Sequence, residues 1–422
     1  MSEKVPKIRF KQFKGEWKEY AIEDICEIVG GGTPSTVNSK YWNGSINWYS
    51  PTEIGSTVYV NKSKKTITEL GLQKSSAKML PAHKTILFTS RAGIGDMAIL
   101  QNEGCTNQGF QSFVLKDEYN PYFIYSMGNK IKRLALLNAS GSTFLEISGK
   151  VLGRLKIHIP QNVAGIEPSE QFKIGEYFKA LDNLINNHQD KYDKLINIKK
   201  CMLEKMFPKE GKNIPEIRFK GFTEPWEKCK LDDISSIITK QTGFDYSETI
   251  KPSLITTKEE GTYSFIQNKD FDGENINLNT DFYIPVSVAK KFPKITIDTP
   301  SILISISGKI GNIGYYRLKE KAFIGGAVGI CKLLKDNGSL IVYSLQSDSG
   351  QAYFNSLIKA SSHANITVED IRKIEVLLPK SFDEEQKISR YFNNLDNLIN
   401  QNAQQLEKLK NIKKSLLEKM FV

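Results

Sequence analysis

The chain has 422 residues, of which 40% are hydrophobic and 25% charged, a composition typical of a globular protein with more than one domain. No apolar run approaches the roughly 18 residues that a membrane-spanning helix needs, and the first residues carry no apolar signal core, so we expect a cytoplasmic protein without membrane contact. The net charge of +11 favours a polyanionic partner, and the five scattered cysteines are not spaced for a zinc site or a disulfide framework.

Two stretches of sequence each occur twice, which indicates an internal duplication. Ile8-Arg9-Phe10, followed by Trp17, returns as Ile217-Arg218-Phe219, followed by Trp226. A longer match joins residues 177–207 to residues 391–421, where 19 of 31 positions are identical at a constant offset of 214. The sequence between these landmarks matches poorly. The two halves are therefore predicted to share a scaffold and to recognise different targets.

The first domain, residues 1–168, is predicted to be mixed α/β, because short β-rich runs alternate with turns. We expect strands at 85–89 and 112–115 and a helical region at 121–138. Gly and small polar residues cluster in the loops, where backbone N–H groups bind phosphate and Arg, Lys and Gln side chains contact base edges. The candidate nucleic-acid contacts are Thr33, Ser35, Lys40, Trp42, Ser90, Arg91, Gln108, Ser142 and Thr143. For each of them the alternative is an ordinary turn or, for Trp42, a place in the core.

A long helix is predicted next, in residues 169–210, because residues 169–207 contain no Pro and a single Gly. Apolar residues recur there at steps that alternate between four and three, which is the pattern of a coiled-coil seam. The seam includes Leu181, Ile185, His188 and Leu195. Acids and bases alternate on the outer face, which argues against a helix that lies on a membrane.

The second domain, residues 211–382, is predicted to repeat the mixed α/β pattern with different loops. We expect strands at 301–306 and 329–333 and a helical region at 339–359. By the same reasoning as in the first domain, its candidate nucleic-acid contacts are Lys240, Thr242, Ser307, Lys309, Ser361, Ser362, His363 and Asn365.

A second long helix is predicted in residues 383–422, and its seam includes Leu395, Ile399, Asn402 and Leu409. Since the two helices arise by duplication, we expect them to pack antiparallel about a pseudo-twofold axis. His188 and Asn402 lie at the midpoints of the two helices and are predicted to face each other. The two helical segments contribute only +1 each to the net charge of +11, so the remaining +9 lies on the other segments of the chain.

No catalytic motif is visible in the sequence. The chain has no phosphate-binding Gly-x-x-x-x-Gly-Lys-Ser/Thr loop and no dinucleotide-binding fingerprint. Its nearest approach to the motif of an amino-methyltransferase, Asn120-Pro121-Tyr122-Phe123, lacks the second proline. The four histidines are far apart and have no metal-ligand spacing. We therefore expect a non-catalytic protein.

The motifs taken together resemble the specificity subunits of type I restriction–modification systems. They comprise a Gly-Gly-Thr-Pro-Ser loop at residues 31–35, an Arg-x-Gly-x-Gly turn at 91–95, a Gly-Ser-Thr loop at 141–143, and long helices that end in Lys-Lys-x-x-Leu-Glu-Lys-Met-Phe. The resemblance covers essentially the whole chain, twice. The second half departs from it, with Lys240-Gln241-Thr242-Gly243 and Ser361-Ser362-His363 in place of the two loops.

The resemblance implies two target-recognition domains, each of which recognises one half of a bipartite site in double-stranded DNA. It implies that the helices act as a spacer and bind methyltransferase subunits, which we expect to be two in number. Restriction subunits, which carry translocase and nuclease activity, join the complex. S-adenosylmethionine and ATP are expected on those partners, and no cofactor is expected on this chain.

Two alternatives remain open at this point. One is a coiled-coil protein-interaction scaffold without DNA recognition, although such a scaffold has no need of +9 outside its helices. The other is a self-contained methyltransferase or nuclease, against which the missing motifs argue.

Overall fold

The structure is a computed structural model that describes residues 4–91, 93–141, 145–161, 167–308, 310–360 and 365–422, with the backbone alone for 357–360. The chain divides into two compact units. Unit 1 comprises residues 1–188 and 405–422, and unit 2 comprises residues 189–404. Among the described residues, no helix combines the length and the apolar character that crossing a membrane requires.

Over its described residues, unit 1 contains the first ten strands of the chain, the first five helices and the first half of the sixth helix, which continues into unit 2. The strands are Lys18–Ala21 (β1), Cys26–Gly30 (β2), Trp42–Tyr49 (β3), Tyr59–Val60 (β4), Lys65–Ile67 (β5), Thr85–Phe88 (β6), Met97–Leu100 (β7), Gly104–Thr106 (β8), Gln111–Leu115 (β9) and Lys156–Ile159 (β10). The helices are Ile22–Ile25 (α1), Glu69–Gln73 (α2), Pro121–Ser126 (α3), Gly128–Asn138 (α4), Gly149–Gly153 (α5) and Glu170–Lys205 (α6), with short 3₁₀ turns at Ser39–Tyr41 and Pro51–Glu53.

Unit 2 repeats this arrangement with longer connections. Its strands are Glu227–Lys230 (β11), Ser235–Lys240 (β12), Thr262–Ile266 (β13), Phe271–Asp272 (β14), Asn275–Ile276 (β15), Tyr283–Pro285 (β16), Thr296–Ile297 (β17), Ser301–Ser305 (β18), Ile313–Tyr316 (β19), Ala322–Ile324 (β20), Val328–Leu333 (β21) and Glu375–Leu378 (β22). Its helices are Leu231–Ile234 (α7), Gly243–Asp245 (α8), Lys251–Ser253 (α9), Val286–Ala289 (α10), Gly338–Gln346 (α11), Asp348–Ala360 (α12), Val368–Arg372 (α13) and Phe382–Lys419 (α14), with a π-helical turn at Tyr246–Ile250.

The two units share their strand order despite their different sequences. The main sheet of unit 1 has the order β2-β9-β6-β7-β4, and that of unit 2 has the order β12-β21-β18-β19. Each unit also has a smaller sheet, with the order β5-β3-β8 in unit 1 and β16-β13-β20-β17 in unit 2. Each smaller sheet contains one parallel pair, which is β3 with β8 in unit 1 and β13 with β20 in unit 2. A two-stranded ribbon, β1-β10 or β11-β22, joins the first and last strands of each unit. The predicted duplicated, mixed α/β architecture is confirmed.

The predicted elements are confirmed in position, with one correction. The four expected strands appear as β6, β9, β18 and β21, and the two long helices as α6 and α14. Each shorter helical region is broken into two helices, at Met127 and at Ser347. The Ser347 hydroxyl donates to the carbonyl of Ser344 at 2.6 Å, and a side chain that competes for a backbone carbonyl in this way favours a helix end.

The core of each unit includes the start of one long helix and the end of the other. In unit 1, Trp17 packs against Phe123 and Phe421, and the ring of Phe178 in α6 stacks on Phe421 with centroids 5.7 Å apart. In unit 2, Trp226 packs edge-on against Phe207, which in turn contacts Phe392 of α14. The repeated tryptophans and the repeated Met-Phe ends are therefore core contacts.

The repeated Ile-Arg-Phe landmark has an electrostatic explanation. Arg9 donates from Nε and Nη2 to the carboxylate of Glu170, at 2.6 and 2.7 Å, in the first turn of α6. Arg218 makes the same two hydrogen bonds, at the same lengths, to Glu384 near the start of α14. Both glutamate side chains are only 1% exposed. Each bidentate pair thus fixes the segment before a recognition domain to the start of a long helix.

Candidate nucleic-acid interface

Strand register places three loops of unit 1 at one end of its main sheet. The last residue of β2, Gly30, pairs with the first residue of β9, Gln111. The end of β6 meets the start of β7 in the pair Phe88 and Met97, and β6 is also antiparallel to β9. Loops 31–41, 89–96 and 107–110 therefore leave the sheet at the same end. Most of the candidate contacts of the first domain lie on these loops.

The loop after β2 is held in place by two tryptophans. The Trp48 Nε1 donates to the carbonyl of Gly32 at 2.8 Å, and the Trp42 Nε1 donates to that of Ser35 at 3.1 Å. The two rings meet edge-on at 5.1 Å. Both indoles thus support the loop, so Trp42 has the packing role that was its alternative, although its ring is still partly exposed.

The same loop approaches the segment before β9. A Cβ atom at Gly31 would overlap the carbonyl oxygen of Asn107, so this approach requires glycine. The Thr33 hydroxyl donates to the side-chain oxygen of the exposed Gln108. Ser35 and Lys40 are also exposed. The loop therefore presents hydroxyl, amide and ammonium groups to solvent from a fixed backbone.

The turn between β6 and β7 brings Arg91 to this end of the sheet. Its glycines adopt positive φ, +110° at Gly93 and +93° at Gly95, which other residues rarely do. The guanidinium of Arg91 lies 3.9 Å from the carboxylate of Glu146, and the two residues pair through their backbones. Arg91 is about one third exposed, so it can still reach an anion in solvent.

Unit 2 gathers its candidates at the corresponding end of its sheet. Lys240, the last residue of β12, pairs with Gly329, and Ser305, the last residue of β18, pairs with Val328. The Ile366 N–H donates to the carbonyl of Ile306, which brings the exposed Asn365 beside the turn that contains Ser307.

The candidate contact residues of unit 2 differ in how much of each side chain is exposed to solvent and free of other contacts. Lys240 is exposed at the end of its strand, and Ser307 is half-buried. Thr242 is exposed, but its hydroxyl caps α8 by accepting from the Asp245 N–H at 3.1 Å.

One predicted contact is wrong, and six lie outside the described residues. Ser90 is completely buried, so its side chain is not available to DNA. It continues a strand that is covered on both faces, and burial persists from residue 85 to residue 90. Those that lie outside the described residues are Ser142, Thr143, Lys309, Ser361, Ser362 and His363.

Two exposed apolar residues at these ends of the sheets are not among the contacts predicted from the sequence. Val37, in the loop after β2, is 94% exposed, and Phe244, in the segment after β12, is 76% exposed. The sequence could have indicated both, because each is an apolar residue flanked by polar or small residues, Val37 in a loop and Phe244 in the short helix α8. Apolar side chains at such positions contact thymine methyl groups or insert between base steps.

The predicted seam residues differ in burial. Leu181, Leu395, Ile399 and Asn402 are buried, and Ile185, His188, Leu195 and Leu409 are half-buried. The Asn402 side-chain amide donates to the carbonyl of Leu398 at 2.8 Å, one turn earlier in α14. No group of three or more potential metal ligands occurs within the part of the chain that the structure describes.

Comparison with known proteins identifies the duplicated pattern. Residues 14–197 and 223–411 each match the family model for the type I restriction modification DNA specificity domain. The specificity subunit of the type I restriction enzyme MjaIX of Methanocaldococcus jannaschii is 27% identical over 426 residues, which cover 96% of this chain and 92% of that protein. The EcoR124I/EcoR124II specificity subunit of Escherichia coli is 32% identical over 189 residues, 43% of this chain and 44% of that protein.

A solved structure shares the fold. The S subunit of a type I restriction–modification system from M. genitalium superposes with a TM-score of 0.65 at 15% identity, covering 99% of both chains. Both halves of the chain match the family model, at the positions where the structure repeats one architecture. The chain therefore belongs to the type I restriction–modification DNA specificity family.

Proposed function

We propose that each unit recognises one half of a bipartite site in double-stranded DNA through the loops at one end of its main sheet. The chain is a DNA specificity subunit, a non-catalytic component that binds DNA and assembles with modification and restriction subunits. The observation that carries the proposal is the duplicated loop cluster. One architecture presents Ser35, Lys40, Arg91 and Gln108 in unit 1 and a different set, including Lys240 and Asn365, in unit 2. Different side chains on one frame suit two different half-sites.

We also propose that α6 and α14 form an antiparallel coiled-coil spacer about a pseudo-twofold axis. Contacts within each unit support this. In unit 1, Phe178 contacts Phe421 and Asp182 contacts Lys413, so residue numbers rise along α6 as they fall along α14. Unit 2 has the same order of contacts, with Lys199 beside Asp396 and Phe207 beside Phe392. The pairing of His188 with Asn402 and the four domain boundaries stay predictions.

The chemistry of the complex belongs, in this proposal, to its partners. The helices bind two methyltransferase subunits, which carry S-adenosylmethionine, and the restriction subunits carry ATP. This chain then binds no cofactor. Its role is to place a chosen DNA sequence before a partner's active site. Because its substrate is DNA inside the cell, we assign the complex to the cytoplasm.

A domain exchange tests the proposal. Residues 227–379 are replaced by those of a relative with a different site, and methylated positions are mapped in DNA from cells that carry the subunit and its methyltransferase. We expect one half-site to change and the other to stay. The reciprocal exchange, of residues 18–160, serves as the matched control and should alter the opposite half-site. An exchange that alters both half-sites equally, or neither, contradicts the proposal.

A further inference from the structure

A buried carboxylate joins the recognition domain of unit 1 to both long helices. Asp182 of α6 is 6% exposed. It accepts a hydrogen bond from the Tyr122 hydroxyl of α3 at 2.6 Å, and the Lys413 Nζ of α14 lies 2.5 Å from its other oxygen. Burial, and secondly the hydrogen bond to Asp182, raise the pKa of Tyr122 far above its ordinary value. The hydroxyl therefore stays a donor at any working pH.

Unit 2 contains a corresponding network, in which the Tyr343 hydroxyl has a second acceptor, the Asn393 Oδ1 of α14, at 2.8 Å. Asp396 of α14 is 7% exposed, its Oδ2 lies 2.8 Å from the Tyr343 hydroxyl of α11, and its Oδ1 lies 2.6 Å from the Lys199 Nζ of α6. The ammonium of Lys199 also lies 5.5 Å from the centre of the Tyr343 ring. Asp396 and Lys413 stand 214 residues after Asp182 and Lys199, the offset of the repeat. Each network thus takes its aspartate from one copy of the helix and its lysine from the other.

These networks differ in chemistry from the apolar contacts between each domain and the helices. Apolar side chains already pack the domain against the helices, and they tolerate small shifts because dispersion forces have little directionality. A buried carboxylate that accepts hydrogen bonds from a tyrosine on one element and a lysine on another tolerates only smaller shifts, because each hydrogen bond weakens steeply with angle and distance. The tyrosine is the only member of each network that belongs to the recognition domain. Within each network, its hydroxyl is therefore the group through which the position of the helices is transmitted to the domain.

We propose that Tyr122 with Asp182, and Tyr343 with Asp396, are positioning residues for DNA recognition that fix the angle of each recognition domain on its helix segments. This inference rests on the proposed function. A domain that is free to tilt still contacts its own half-site with the same loops. Its position along the DNA relative to the other half-site is less well defined. The networks therefore set how strictly the complex selects the number of base pairs between the half-sites.

The test uses the full chain in complex with its methyltransferase subunits. Initial methylation rates are measured on duplexes that keep both half-sites and vary the spacer by up to two base pairs either way. Tyr122→Phe and Tyr343→Phe remove one hydroxyl each and keep the ring. The matched control is Tyr125→Phe in the same helix α3, because the Tyr125 hydroxyl forms no hydrogen bond among the described residues.

We expect the wild-type complex to prefer one spacer length. Each variant should lower the rate ratio between that spacer and its neighbours by roughly fivefold, which is the factor expected for one hydrogen bond of ordinary strength. The half-site sequences and the Tyr125→Phe control should be unchanged. Equal loss of rate on all spacers, or unchanged selectivity in folded variants, overturns the inference. If the wild-type complex methylates no bipartite site at all, the proposed function itself fails.

A second variant covers the case in which the tyrosine variants do not assemble. Asp182→Leu with Lys413→Met replaces the buried ion pair of unit 1 by apolar groups and leaves no unpaired charge, a replacement that folded proteins often tolerate. It should relax the spacer preference to a similar degree. If this variant does not assemble either, the network is a requirement for folding and the positioning role is rejected.

Discussion

Removal of Arg218 tests whether the buried ion pair at the start of α14 stabilises unit 2. Arg218→Met leaves the carboxylate of Glu384, which is 1% exposed, without the guanidinium that neutralises it. Breaking a buried pair from one side costs about 3–5 kcal/mol, because a charge is left uncompensated away from water. A loss of about 3 kcal/mol corresponds to a roughly 150-fold rise in the unfolded population of the unit.

Hydrogen exchange with mass spectrometry measures this effect for each unit separately. Amides in the β12–β21 pair of unit 2 should exchange roughly 150-fold faster in Arg218→Met, while those of unit 1 provide an internal reference. A second substitution, Glu384→Leu, should restore most of the protection, because no buried charge remains. The matched control is Lys228→Met, which breaks the exposed pair with Glu375 and should change the stability by less than about 1 kcal/mol.

Two results would contradict a stabilising role for this ion pair. One is that Arg218→Met accelerates exchange in unit 2 by less than about fivefold, which corresponds to about 1 kcal/mol. The other is that Glu384→Leu makes the Arg218→Met variant less stable still. The first result would mean that the pair contributes no more than a surface ion pair. The second would mean that the carboxylate has an independent role at the start of α14.

Three further predictions concern the loops and the thiols. Phe244→Ala should weaken binding to one half-site by roughly fivefold or more, because on the proposed DNA-facing end of unit 2 the exposed ring would stack on a base or enter a groove. A filter-binding assay with single-base variants of both half-sites shows which half is affected. Arg91→Gln should lower the slope of log affinity against log salt by about one, the value for one lost phosphate contact, and an unchanged slope and affinity would make Arg91 a structural residue. Burial raises the pKa of the thiols of Cys26, Cys105 and Cys331 to about 12, so they stay protonated at pH 8. They should therefore resist iodoacetamide until the chain is unfolded. Fast labelling of these thiols in the folded protein would contradict their buried placement.

The same thiols give stability a dependence on alkaline pH. Their pKa in the folded chain, about 12, lies above the ordinary value of 9.0. Between these values the unfolded chain releases protons that the folded chain keeps. The contribution of these thiols to stability is therefore constant below about pH 9 and falls as the pH rises further.

The elements with strong local patterns could be predicted from the sequence. The long helices follow from a period of alternating fours and threes over more than thirty residues, bounded by Pro208 and Gly211 in the first copy. The buried strands follow from short apolar runs. The convergence of the loops could not be predicted, because it depends on β2 pairing with β9 and β9 with β6, strands that are not neighbours in the chain.

The prediction of side-chain roles from the sequence failed where burial or a contact with a distant residue determines the role. Ser90 has the composition of a turn residue, yet the sheet covers it on both sides. Lys199 and Lys413 occupy equivalent positions in the two copies of the repeated helix. That each forms an ion pair with an aspartate of the other long helix depends on the register of two helices about 200 residues apart, which no local pattern contains.

The division of the core between distant parts of the chain has a consequence for biosynthesis. Trp17 packs against Phe421, so the core of unit 1 stays incomplete until the ribosome has added more than four hundred further residues. Closing a loop of that length slows folding and leaves apolar surface open to chaperones in the meantime. Unit 2 is a single continuous segment, residues 189–404, and is free of this delay. A premature stop codon just before residue 405 would therefore leave unit 2 complete and leave unit 1 without part of its core.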